Sequence, residues 1–111
     1  MSDKAKPARI RLSRGRGWRL HTVSEALNGL PAVKVTRPSR WGNPYVGDGR
    51  MTPESRAYVV SLYREYLQRP EQADEVVAIR EHLRGKNLAC CCPLDGPCHA
   101  DVLLELANGD A

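Results

Sequence analysis

A chain of 111 residues is the size of one domain and leaves no room for a second. Its 17 Lys and Arg against 13 Asp and Glu give a net charge of +4. No apolar run approaches the roughly 20 residues of a membrane span, and the polar start Met1–Pro7 lacks a signal-peptide core. A cytoplasmic protein with no membrane partner is therefore the expectation. The four cysteines fit it: they are crowded between Cys90 and Cys98, which suits reduced thiols better than a disulfide framework.

Residues 1–8 read as a disordered tail, and residues 9–111 as a single domain. Arg9-Ile-Arg-Leu alternates with period two and predicts a short strand. The Gly-rich loop Ser13–Arg19 follows. A weak helix around Thr22–Leu27 is stopped by Asn28-Gly29. Val33–Thr36 predicts the second strand. It runs into Arg37-Pro-Ser-Arg-Trp-Gly-Asn-Pro-Tyr, whose two prolines and Gly-Asn pair exclude helix and central strand.

Thr52-Pro-Glu opens the first strong helix: Thr52 suits the N-cap and Pro53 the first helical position. Val59, Val60, Tyr63, Tyr66 and Leu67 share one face. Pro70 ends this helix and opens the next, with Ala73, Val76, Val77 and Leu83 as the expected buried stripe and Gly85 as the cap. Leu88–Cys92 predicts a buried strand. A last helix begins at Cys98 or His99 and packs Val102, Leu103, Leu106 and Ala107 inward. Strands alternating with helices predict an α/β fold: a short, mostly parallel sheet packed with three main helices. Ligand sites in such sheets lie beyond the carboxyl ends of the strands.

The basic charge is lopsided. Residues 1–50 hold eleven Lys/Arg and three Asp/Glu, whereas residues 51–111 hold six and ten. Most of it is Arg, which forks onto phosphate and carboxylate. An anionic small molecule or nucleic acid is the expected partner of the N-terminal half. Arg16 and Trp18 in one loop, and Arg37, Arg40, Trp41 and Asn43 in the other, are the candidate ligand-binding residues. The alternative makes Trp18 and Trp41 core plugs and Asn43 a turn former.

The C-terminal corner holds the reactive types. In a strand, Cys90 and Cys92 share a face and Cys91 takes the other. Cys98 at a helix N-terminus is placed for thiolate character, with His99 as a base and Asp101 in the first turn. These three are the candidate catalytic set. A metal is the rival, with Cys90, Cys92, Cys98 and His99 as ligands and zinc as the ion that suits them. Against it, adjacent residues on a helix diverge by about 100°, which separates Cys98 from His99. In the simplest reading the cysteines are small buried hydrophobes.

Two segments carry a family likeness: Val33-Lys-Val-Thr-Arg-Pro-Ser-Arg-Trp-Gly-Asn-Pro-Tyr, and Cys92-Pro-Leu-Asp-Gly-Pro-Cys-His-Ala-Asp-Val-Leu-Leu-Glu. With Tyr63-Arg-Glu-Tyr-Leu and Leu83-Arg-Gly-Lys-Asn-Leu-Ala-Cys, the pattern from Arg14 to Asn108 resembles the domain of unknown function 4326 family of bacteria and their phages. That family's first cysteine cluster usually reads Cys-Trp-Cys, and Cys91 stands where the Trp would be. The resemblance implies a small α/β fold with a site built from the matched loops. By the company the family keeps, it also makes nucleotide or nucleic-acid metabolism an expectation.

Together these readings predict a small enzyme or ligand-binding domain for a phosphorylated, nucleotide-like molecule. Its pocket would lie between the two Arg/Trp loops and the Cys-His-x-Asp helix N-terminus. The alternatives are a non-catalytic nucleic-acid-binding module and a zinc-stabilised interaction domain.

Overall fold

The segment Asn87-Leu-Ala-Cys is buried at all four positions, the pattern of a strand covered on both faces and both edges. In the computed structural model it is the central strand. The structure describes residues 6–36, 39–45, 52–92, 94 and 96–109. Along the chain run β1 (Arg9–Arg11), α1 (Leu20–Asn28), β2 (Ala32–Lys34), α2 (Pro53–Leu67), a 3-10 turn (Pro70–Gln72), α3 (Ala73–Leu83), β3 (Asn87–Cys90) and α4 (His99–Asn108). The sheet order is β1-β3-β2, and both pairings are parallel. Ile10 pairs with Ala89, and Val33 with Leu88. The chain is thus a small α/β domain, as the alternation of elements predicts.

Strand alternation separates the two faces of the sheet. Leu88 and Cys90 enter one core with Tyr63, Leu67, Ile79, Leu83 and Leu103, so α2, α3 and α4 cover that face. Asn87 points the other way, toward α1. Its amide donates to Ser24 Oγ at 2.7 Å and Asn28 Oδ1 at 2.8 Å, while its carbonyl oxygen accepts from Asn28 Nδ2 and from the Ala8 N–H. All four hydrogen-bonding positions of this fully buried amide are filled.

Local chemistry sets the element ends. Gly29 closes α1 in the left-handed conformation, φ 78°, with its N–H on Glu25 O. Thr52 caps α2 by accepting from the Ser55 N–H, with Pro53 behind it as expected. The expected stripe of α3 needs correction. Val77 is 52 % exposed and Ala73 lies on the surface, whereas Ile79 and Leu83 are fully buried. Pro70–Gln72 forms a 3-10 turn before the α-helix begins, so the inward face falls on Val76, Ile79 and Leu83. Ala8 is tied to β3 through its N–H on Asn87 Oδ1 and its carbonyl on the Leu88 N–H, while residues 1–5 lie outside those described. No described helix is long and apolar enough to cross a membrane.

Candidate functional site

Three parallel strands send their carboxyl ends to one edge of the sheet, and two sites lie there, one on each face. On the α1 face is a hollow of about 380 Å³. Its floor is Leu12 and Ser13, just past β1, and Leu20, the first residue of α1. Its polar and flat groups are Arg14, Trp18, Lys34 at the end of β2, and Cys91 just past β3. Gly17, at φ 79°, completes the turn in which the Trp18 N–H bonds Gly15 O, and that turn brings the indole to the hollow. The N-terminus of α1 beside it has Arg19 as N-cap with no side-chain cap, and no acidic residue in its first turn. That end of the helix favours negative charge.

On the opposite face lie the sulfurs of Cys90, Cys92 and Cys98, all within 4.8 Å of one another. Cys90 and Cys98 are buried, with sulfurs 2.9 Å apart. The period-two reading of Cys90, Cys91 and Cys92 therefore matches the geometry: two sulfurs turn to the α4 side and one to the hollow. Cys98 is the N-cap of α4, accepting from the Ala100 N–H at 3.5 Å. Its backbone is extended (φ −154°, ψ 146°), so its side chain departs before the helical turn begins. The 100° divergence argued from sequence does not apply, and Cys98 Sγ sits 3.7 Å from His99 Nδ1. The other ring nitrogen, Nε2, donates to Val35 O at 2.6 Å.

The trio favours one negative charge, on Cys92. Hydrogen bonds from the Cys90 and Cys98 thiols hold the Cys92 thiol well below its ordinary value, with His99 and Arg56 adding positive potential. Cys90 is pushed up by those same bonds, to Cys92 and Cys98, and by burial. For Cys98 the bond from Cys90 pulls down, but the bond to Cys92 and burial outweigh it and push the thiol up to about 11. Three sulfurs so placed are a group that could hold a metal ion.

The remaining candidates are distributed as follows. Asp101 is ion-paired to Arg9 at 2.9 Å, and Arg9 also donates to Leu94 O and Gly96 O, clamping the loop before α4. Arg16 is exposed on the glycine loop. Arg40 pairs with Glu75 at 3.0 Å and lies over the Trp41 ring, 4.8 Å from its centroid. Trp41 packs on the core and meets the His82 ring at 6.0 Å. Asn43 is buried, with Nδ2 on Val59 O at 3.1 Å and Oδ1 accepting the Tyr45 N–H, as a turn former does. Arg37 lies outside the described residues. Thus Trp18 borders the hollow, Cys98 and His99 belong to the thiol corner, and the described part of the second loop packs on α2 and α3.

Sequence reasoning took Arg16 rather than Arg14 from the glycine loop, and did not single out Lys34 or Cys91 for the hollow, nor Arg9 for the clamp. Lys34 had a usable signal: it stands at the carboxyl end of a predicted strand, where ligand sites form. Neither the curated proteins nor the solved structures compared with the chain contain a match to it. The model of a family described as a domain of unknown function, DUF4326, matches residues 10–109, a span that holds the residues of the hollow and of the thiol trio, and the chain belongs to that family.

Proposed function

We propose that this protein is a ligand-binding domain for an anionic, nucleotide-like molecule, seated in the hollow at the carboxyl edge of the sheet. One observation carries the reading: Arg14, Lys34 and Trp18 border one hollow of about 380 Å³ beside the uncapped N-terminus of α1. Small-ligand pockets span roughly 300–1,000 Å³. A phosphate group answers the two cations and the helix N-terminus. A base or sugar ring answers the indole face. In this reading Cys98, His99 and Asp101 hold the corner together rather than react: Cys98 has no exposed surface and the Asp101 carboxylate is ion-paired.

Calorimetric titration with a nucleoside diphosphate, inorganic phosphate and a single-stranded oligonucleotide tests it. The nucleoside diphosphate binds best, and Arg14→Ala or Lys34→Ala weakens it by roughly tenfold or more, since a hydrogen bond to a charged group contributes about 1.5–3 kcal/mol. Equal affinity in both variants contradicts the proposal. Preference for the oligonucleotide, with affinity falling steeply as salt rises, instead marks a nucleic-acid-binding module.

A second reading rests on the thiol trio: the domain is stabilised by a soft divalent ion, zinc by class, held by Cys90, Cys92 and Cys98. Their mutual distances, all within 4.8 Å, support it. Elemental analysis of the purified protein would give one zinc per chain; none, after expression with zinc supplied, contradicts it.

A further inference from the structure

We infer that His99 Nδ1 is the fourth ligand of that ion, closing the site, and that Arg56 balances its charge. The inference rests on the second reading above, that the thiol trio binds metal.

Zinc takes thiolate sulfur at about 2.3 Å and imidazole nitrogen at about 2.0 Å. Tetrahedral angles then set ligand sulfurs about 3.8 Å apart, and a sulfur about 3.6 Å from the nitrogen. His99 Nδ1 stands 3.7 Å from Cys98 Sγ but is not within 4.8 Å of all three sulfurs, so the ring must shift toward the other two as the ion enters. Cys90 and Cys98, at 2.9 Å, need to part by about 0.9 Å to admit the ion. The ring is set for coordination by its far side. The bond to Val35 O fixes a proton on Nε2, so that once the ring gives up its other proton to an incoming ion the lone pair lies on Nδ1, facing Cys98. Metal-bound histidines are commonly oriented by such a carbonyl.

Charge supplies the role of Arg56. Three thiolates, one imidazole and a divalent ion sum to a single negative charge, in a corner where Cys90, Cys98 and His99 are buried. Arg56 stands in the first turn of α2. Its Nε is buried and lacks a hydrogen-bond partner among the described residues, which a charged thiolate centre would explain.

Four protein ligands leave no open position, which makes the centre structural. It ties the end of β3 to the start of α4 and, through Val35 O, to the end of β2. Cys91, held between two ligands, turns the other way and forms a wall of the hollow. The ion thereby fixes the shape of the ligand site without touching it.

Cobalt(II) titration of the full-length chain, read by absorption, tests the assignment. The wild type takes up one cobalt with intense tetrahedral visible bands and a charge-transfer band worth three thiolates. His99→Ala loses the tetrahedral pattern and binds at least about tenfold more weakly. His99→Cys restores it, with charge transfer rising to four thiolates' worth, and so tests the position even where alanine fails to fold. Cys91→Ser leaves the spectrum unchanged, and Arg56→Ala lowers affinity several-fold. Unaltered spectra in both His99 variants overturn the ligand assignment and leave the thiol reading standing. Unaltered affinity in Arg56→Ala overturns the charge argument. No cobalt uptake by the wild type overturns both the inference and the reading beneath it.

Discussion

The guanidinium of Arg9 on β1 donates to the carboxylate of Asp101 in the first turn of α4, at 2.9 Å across 92 residues of sequence. The Arg9 side chain is only 8 % exposed, whereas Asp101 is 47 % exposed. The cation is thus the buried partner, and two carbonyl oxygens share it. Losing Asp101 leaves Arg9 still bonded to Leu94 O and Gly96 O. Losing Arg9 releases the carboxylate and the loop together. Urea unfolding should show Asp101→Ala costing about 1 kcal/mol and Arg9→Ala about 2–3 kcal/mol. The reverse order would mean that Asp101 carries a role beyond this clamp.

Asn87 makes a sharper structural prediction. Its amide is saturated by Ser24, Asn28 and the Ala8 N–H, in a place without exposure. Truncating it strands several buried partners at once. Asn87→Ala should destabilise by about 2–4 kcal/mol, and Ser24→Ala by about 1–2 kcal/mol, since Ser24 Oγ also donates to Leu30 O. Chemical denaturation measures both.

The exposed pair Arg64–Glu105 sets a mild acid dependence. The hydrogen bond from Arg64 holds the Glu105 carboxyl below the usual carboxylate range. A carboxyl with a lowered folded-state value contributes stability above its unfolded value, about 4.3, and loses it as pH falls through the folded one. Glu105→Gln should therefore cost less than about 1 kcal/mol at neutral pH. That difference from wild type should shrink to nothing near pH 3 or below, as denaturant melts at both pH values would reveal.

Metal removal should be felt on both faces of the sheet. If the thiol trio holds zinc as proposed, a chelator strong enough to strip it should lower the melting temperature and, because Cys91 lies between Cys90 and Cys92, weaken ligand binding at the hollow. A melting curve and a ligand affinity both indifferent to chelation would separate the two sites.

Much of this architecture was legible from local pattern. Period two in Arg9–Leu12 and in the cysteine run, Thr52-Pro53 at a helix start, and Asn28-Gly29 at a helix end each rest on short-range sterics, and the structure bears out each element. The shift of the α3 stripe from Val77 to Ile79 was hidden because the 3-10 turn at Pro70 changes the helical phase before Ala73. The site was legible only in part. Cys90, Cys92, Cys98 and His99 could be grouped because they are near in sequence. The extended backbone at Cys98, which brings its sulfur to 3.7 Å from His99 Nδ1, has no sequence mark. Arg9 and Asn87 were missed as organisers since their partners lie far along the chain, 92 and 63 residues away. The second Arg/Trp loop drew attention by composition, yet Asn43 and Trp41 serve the packing of α2 and α3.

The most direct test is the affinity of a nucleoside diphosphate for wild type, Lys34→Ala and Trp18→Ala, measured at fixed moderate salt. The account predicts saturable one-to-one binding that falls roughly tenfold or more without the Lys34 cation, and by roughly five- to a hundredfold without the Trp18 ring. Binding that is absent in the wild type, or identical in all three proteins, would contradict it.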